Sequence, residues 1–310
     1  MERTKEYYNT ISTPLLNCFD HYYNGSLIVD PDSDPETFIE QDVNNIIKLA
    51  ELSEDKSVLE CGCGVGQFFK LFIEKFPNLS YRGIDISEEQ IKNAKTVNPD
   101  HADLFEVADW HQLPFEDNSF DRLIFLETIG YTWDVDKLLS ECYRVLKPGG
   151  ILFSKHPGVV NNLTDQKSFD VQLNFLKKST HDVNIEYGYE DNSLGMLMDT
   201  KKFVEDLNRY NFDVPNGCQT PFIDESTYIE LHFVPNFRPN LKKVKLGSRL
   251  TSIFPDYLPS SFKDGTNQIL NDFGKLHPYL VNLFMNIWSS YHTPNQSIMY
   301  PCVVITAYKK

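Results

Sequence analysis

Residues 58–66 read Val-Leu-Glu-Cys-Gly-Cys-Gly-Val-Gly and carry the strongest chemical signal in the chain. Gly62, Gly64 and Gly66 follow a short apolar run and open an amphipathic one, so they allow a tight turn and close approach of backbone to a ligand. Asp85 ends the next apolar run, 19 residues after Gly66. An acid at that place can accept hydrogen bonds from both hydroxyls of a ribose, which implies a nucleoside-containing cofactor. A nicotinamide dinucleotide satisfies this logic too. Two details depart from the dinucleotide pattern: the third glycine comes one residue early, and an acid, Glu60, precedes the first. Other constellations are poorer. Cys61 and Cys63 alternate with glycines instead of forming a Cys-x-x-Cys pair, and read as structural thiols ahead of zinc ligands. Asp30, Asp32 and Asp34 have a calcium-loop spacing, but Pro35 stands where such a loop needs glycine and no closing glutamate follows. Asp34 reads better as a helix cap, with Pro35 in the first helical position. No metal site is expected.

The elements that must position these residues alternate. A helix carrying Ile39, Val43, Ile46, Ile47 and Ala50 comes first. Then follow a strand over 57–60, a helix over 67–75, a strand over 81–85 and a helix over 87–96 capped by Ser87. A third strand covers 104–108 and a fourth 121–126. A helix from 136 to 146 ends at Lys147-Pro-Gly-Gly150, and a fifth strand begins at Ile151. Such alternation predicts an α/β fold of parallel βαβ units, with ligands beyond the carboxyl ends of the strands. Later, 201–210 reads as a helix, 212–214 as a strand and 302–308 as a buried last strand. Residues 222–300, rich in proline and aromatics, are too long for a simple loop. The expected organisation is an aromatic, helical arm over 1–55, a cofactor-binding domain over 56–221, an inserted lid over 222–300, and a last strand over 301–310 that returns to the sheet.

The 310 residues carry a formal net charge of −15, with 41% hydrophobic and 24% charged side chains. That is a globular composition. The acidic balance argues against coating nucleic acid, which requires cations to displace phosphate counterions. No apolar run approaches the ~20 residues that span a bilayer, and the first residues do not read as a secretory signal. Six scattered cysteines fit a reducing, cytoplasmic setting. The expected partner is a small molecule, not nucleic acid or a membrane, and a homo-oligomer is compatible with the composition.

Glu60-Cys-Gly-Cys-Gly-Val-Gly66 resembles the first motif of class I S-adenosylmethionine (SAM)-dependent methyltransferases. Gly83-Ile-Asp-Ile-Ser87, Ala108-Asp-Trp110, Phe120–Leu126 and Arg144–Gly150 resemble the family's later motifs, in the right order. The resemblance covers about residues 56–156 and implies a Rossmann-like, seven-stranded sheet with helices on both faces. By that resemblance Glu60 holds the methionine ammonium, and Gly62, Gly64 and Gly66 pack against methionine and ribose. Asp85 binds the ribose, Ile86 packs on adenine, Asp109 accepts from the adenine amino group, and Trp110 walls it. Ser87-Glu-Glu-Gln90 resembles a feature of sterol- and cyclopropane-type members, so Gln90 is expected near adenosine.

On the acceptor side, Glu127 follows strand four, where it could orient a substrate, stabilise a cation or remove a proton; the alternatives are a helix cap or a cofactor contact. His156 is a candidate base or a loop hydrogen-bonder. The N-terminal arm and Glu127 resemble the corresponding parts of geranyl diphosphate and sterol C-methyltransferases. This makes Tyr8, Tyr22, Tyr23, Tyr131, Lys155 and Arg238 candidate acceptor contacts. Arg238 lies just upstream of the basic cluster Lys242, Lys243, Lys245 and Arg249, which would bind a diphosphate with Mg²⁺ or form a solvated face. Mg²⁺ is expected only with a diphosphate acceptor.

Overall fold

Val58 and Leu59 point to opposite faces of β1 (Ser57–Cys61), and both are fully buried, so the strand must be covered on both sides. The computed structural model describes residues 4–6, 8, 9, 12, 13, 16, 38–159, 198–215, 218, 219 and 302–310. Within these, β2 (Ser80–Asp85) and β4 (Phe120–Leu126) flank β1 in parallel. Next to β2 runs β3 (Phe105–Val107), and next to β4 runs β5 (Leu146–Val159). Four further strands are β6 (Met198–Asp199), β7 (Phe212–Asp213), β8 (Cys218–Gln219) and β9 (Cys302–Lys309). Seven strands follow the order β3-β2-β1-β4-β5-β9-β7, with β9 antiparallel to both neighbours; β6 pairs with β5 and β8 with β9. The strand order reverses between β1 and β4, which places a ligand crevice at their carboxyl ends. This is the seven-stranded, Rossmann-like sheet that the alternation and the motifs imply.

Helices cover both faces. On one, Val43 and Ile46 of α1 (Phe38–Leu49), Phe68, Phe69 and Phe72 of α2 (Gln67–Lys75), and Ile91 and Ala94 of α3 (Glu88–Val97) pack on Val58, Tyr81, Phe105 and Ile124. On the other, Leu138, Leu139 and Cys142 of α4 (Val135–Val145) and Phe203 and Leu207 of α5 (Thr200–Arg209) cover Leu59, Ile84, Leu123 and Phe125. Buried Arg122 crosses from β4 to close the end of α1, donating Nε to the Ala50 carbonyl at 2.7 Å.

Two boundaries move from expectation. The helix expected to end at Leu146 ends at Val145, and β5, expected to begin at Ile151, already pairs at Leu146. Its register jumps from Phe120–Leu146 to Arg122–Ile151, so Lys147–Gly150 is extruded as a bulge. Pro148 has no N–H for the ladder, and Gly149 takes φ 74, which together explain the extrusion. The expected third strand is shorter, because Pro99–Leu104 forms a 3₁₀ segment before it. No helix among the described residues is long and apolar enough to cross a membrane. The lid over 222–300, Tyr22, Tyr23, Arg238 and the Lys242–Arg249 cluster lie outside the described residues.

Candidate cofactor and acceptor site

The glycine turn is fixed from both sides. Gly62 N–H and Cys63 N–H both donate to the Ile84 carbonyl, at 2.8 and 2.9 Å, which ties the turn to β2. Gly62 has φ 77, and a Cβ there would lie 2.6 Å from Thr128 Cγ2. Thr128 in turn donates its hydroxyl to the Cys61 carbonyl at 2.8 Å. Gly66, at φ 73, opens α2, whose N-terminal end presents a partial positive charge beside the carboxyl ends of β1 and β2.

Two acids stand at those ends. Asp85 accepts from Gly64 N–H at 3.1 Å through Oδ2 and from Ser87 N–H at 2.9 Å through Oδ1. Burial outweighs these bonds and holds its carboxyl up at about 6. A carboxylate has about four lone-pair sites, so each oxygen keeps capacity for a ribose hydroxyl. Glu60 is 1% exposed, and Tyr81 Oη donates to its Oε2 at 2.6 Å. Burial raises its carboxyl to about 8, with Asp85 adding repulsion and Lys155 partly offsetting it. Oε1 has no partner among the described residues. A buried acid with one oxygen uncommitted has a use for a cation. The donor set therefore fits a ligand with an ammonium at one end and a diol further along, as SAM has.

Residues 59–154 match the family described as a methyltransferase domain. A sterol 4-C-methyltransferase of Caenorhabditis elegans is 31% identical over 156 residues, covering 48% of this chain and 46% of that protein. The chain thus spans about half the length of that relative. Among solved structures, the [4+2]-cyclase SpnF superposes with a TM-score of 0.66 at 17% identity, over 99% of this chain and 94% of that one. A geranyl diphosphate C-methyltransferase from Streptomyces coelicolor, crystallised with Mg²⁺, geranyl diphosphate and S-adenosyl-L-homocysteine, superposes with a TM-score of 0.54 at 13% identity, over 100% and 97%. At these identities the structural likenesses speak for the fold. Residues 59–154 are thus a methyltransferase domain, and its motifs resemble those of class I SAM-dependent members.

In this methyltransferase domain, the segment after β3 is tied to the one after β4. Asp109 Oδ1 accepts from His111 N–H at 2.9 Å and lies 2.7 Å from His111 Nδ1, while His111 Nε2 lies 2.9 Å from Thr132 Oγ1. Burial lowers the His111 pKa against the pull of Asp109. The Trp110 indole N–H is buried with no partner among the described residues, its ring 5.9 Å from that of Phe125. Ile86 follows Asp85 half-buried. Gln90 also meets the arm: its Oε1 accepts from Ser12 at 2.8 Å. Asn9 Oδ1 accepts from Ser87 Oγ at 2.7 Å, and Thr13 Oγ1 donates to Glu89 at 2.8 Å, so helical residues of the arm dock on the start of α3.

Beyond the carboxyl end of β4 stand Glu127 and Tyr131, with Tyr8 of the arm against Tyr131. Tyr8 Oη donates to Tyr131 Oη at 2.8 Å, with the rings edge to face. Burial, with the Glu127 charge adding to it, pushes the Tyr131 hydroxyl up to about 12. Glu127 has φ 59, a left-handed conformation that is strained for a residue other than glycine. Such strain concentrates at functional sites.

Two expected acceptor-side residues are buried within the sheet. The Lys155 side chain is fully buried on the α1 and α2 face, 2.9 Å from Asp42 Oδ2. His156 is fully buried on the opposite pleat, with Nδ1 2.9 Å from Ser154 Oγ. Burial holds its pKa down to about 4. Both corrections have one cause: β5 continues past Ser154 to Val159, so these residues alternate inside the sheet where a solvent-facing loop was expected. Asp42, Tyr81, Thr128 and His111 were missed. Asp42 carried a readable signal, since it sits on the apolar stripe of its helix, three residues after Ile39 and four before Ile46. Among the described residues no group of three His, Cys, Asp or Glu side chains converges on a metal site, and Cys61, Cys63 and Cys142 are buried free thiols.

Proposed function

We propose that this chain transfers a methyl group from SAM to a carbon atom of a hydrophobic small molecule, an isoprenoid diphosphate or related alkene. The observation that carries the reading is Glu127, held in a left-handed conformation at the end of β4, with Tyr131 and Tyr8 beside it and the two acids Glu60 and Asp85 one and two strands away. SAM supplies an electrophilic methyl on a sulfonium. Glu60 would hold its ammonium and Asp85 its ribose. Asp109 and the Trp110 indole N–H, which has no partner among the described residues, are suited to the edge of a purine. With both reactants oriented, an in-line displacement needs no metal, and the protein's task is alignment and exclusion of water. An alkene acceptor becomes a carbocation on methylation. Glu127 would stabilise that cation and accept the proton it loses, while the tyrosine rings offer π faces to it.

Two of the similar proteins are themselves named as C-methyltransferases, which supports this acceptor class. If the acceptor carries a diphosphate, Mg²⁺ would enter with it. The arm and the segment over 222–300 are proposed to close the acceptor side. The second reading is O- or N-methylation of a small metabolite, for which the base would be Glu127, since buried His156, with a pKa near 4, is poorly suited to that role.

The test is incubation of the full chain with methyl-labelled SAM and separate acceptors: prenyl diphosphates with and without Mg²⁺, sterols, phenols and amines. Label in the organic phase with an alkene supports the proposal. Turnover of a phenol or amine, with none of any alkene, overturns the carbon assignment. Absence of both SAM-binding heat and turnover overturns the enzymatic reading in favour of a non-catalytic scaffold.

A further inference from the structure

Tyr81 has no place in the cofactor motifs, yet its hydroxyl holds the acid of the first one. In strand register Tyr81 lies opposite Val58, and Glu60 lies opposite Gly83, so the phenol runs two residues along β2 to reach the carboxylate. It passes over Gly83. A Cβ at that position would lie 3.0 Å from the Tyr81 hydroxyl oxygen and 2.9 Å from Phe105 Cδ1, so glycine is what opens the path. The ring is wedged between Phe69 and Phe105, with centroids at 4.8 and 6.0 Å. A fully packed aromatic side chain on a strand leaves its hydroxyl little freedom, so the donor is delivered to one place.

The same face of the sheet holds the buried Lys155–Asp42 pair, with Lys155 Nζ 5.2 Å from the Phe68 ring centre. Lys155 is thus committed to Asp42 and offsets the charge of ionised Glu60 only in part, while Glu60 has Oε2 engaged by Tyr81 and Oε1 uncommitted among the described residues. We propose that Tyr81 is a positioning residue for the cofactor: by occupying Glu60 Oε2 it reserves Oε1 for the ammonium of the methionine moiety. This rests on the reading of Glu60 as the ammonium ligand of SAM. Gly83 then has a function of its own, since a Cβ there would crowd the phenol and the Phe105 ring.

The test compares two ligands by calorimetry on the full chain. One is SAM; the other is 5′-methylthioadenosine, which keeps the nucleoside and its 5′-sulfur but lacks the amino-acid moiety with its ammonium, and carries a neutral thioether in place of the sulfonium. Tyr81→Phe keeps the ring and its packing and removes only the hydroxyl. The expected result is about a tenfold weaker affinity for SAM, the size of one hydrogen bond to a charged group, with affinity for 5′-methylthioadenosine unchanged. Glu60→Gln should also weaken SAM selectively, and adding Tyr81→Phe to it should cost little more, because the two act through one contact. Equal loss of both ligands in Tyr81→Phe, unchanged SAM affinity, or additive losses in the double variant would overturn the positioning role. Wild-type protein that binds both ligands equally would overturn the role of Glu60 as well. Wild-type protein that binds neither would overturn the SAM reading itself.

Discussion

The Lys155 ammonium lies 2.9 Å from Asp42 Oδ2, and both side chains are wholly buried. They come from β5 and α1, 113 positions apart, so the pair joins the helix before the glycine turn to the strand beyond the crevice. A buried pair contributes modestly against apolar residues of the same shape, but removing one member strands the other charge. Asp42→Ala and Lys155→Met should each lower stability by about 3–5 kcal/mol in urea titrations, and Asp42→Leu combined with Lys155→Met should recover much of that loss. Equal destabilisation in the double variant would show that packing, not charge, dominates there.

Glu60 gives the protein a pH signature. The groups placed about it are Asp85 and Tyr81 of β2, Cys61 and Cys63 of β1 and its turn, Lys155 of β5, and Asp42 of α1 behind Lys155. Its carboxyl ionises near 4.5 in the unfolded chain and at about 8 in the folded one. Protonated Glu60 therefore favours the fold most fully below pH 4.5, and that contribution fades as pH rises towards 8. The melting temperature of the ligand-free protein should carry this slope, and Glu60→Gln should flatten it. A bound ammonium restores the carboxylate, so cofactor uptake at pH 7 should release nearly one proton. Calorimetry in buffers of different ionisation enthalpy measures this, and no proton release would mean that Glu60 is already ionised or does not meet the cation.

His156 shifts stability in the other direction. Its imidazole takes a proton near 6.5 when unfolded and at about 4 when folded, because burial opposes the charge. Its contribution is complete above 6.5 and is lost as pH falls from there towards 4. His156→Gln should remove this acid-side slope from the melting curve. It should leave the acid limb of the pH profile of turnover unaltered if the residue is structural; loss of that limb would restore it as the catalytic base.

These residues also mark what the chain discloses by pattern and what it does not. Gly62, Gly66, Glu60 and Asp85 were legible because strand, turn and helix place them by local spacing, and the fold puts them where that spacing requires. Lys155 and His156 were misplaced because their surroundings depend on how far β5 extends, which is decided by its pairing with β9, about 150 residues later. Tyr81 reads as core from its neighbours, and it is core. Its hydroxyl acquires a role only once register sets Gly83 opposite Glu60. The amide oxygen of Gln90 is bonded to Ser12, 78 positions earlier, and no helical period announces that pairing.

Glu127 allows strain and function to be separated. Its φ of 59 carries a penalty that glycine does not have, of the order of 1 kcal/mol. Glu127→Gly should therefore raise stability by up to about 1 kcal/mol, offset in part by the greater entropy of glycine in the unfolded chain. Glu127→Gln keeps the strain and removes the charge, so it should leave stability near that of the wild type. If the carboxylate acts on the acceptor, both variants should lose turnover by about 10²-fold or more while SAM affinity stays within reach of the wild type. Loss of SAM affinity in both would reassign Glu127 to the cofactor. A loss of stability in Glu127→Gly would mean that the carboxylate's contacts outweigh the backbone strain, leaving the side chain a structural as well as a chemical role.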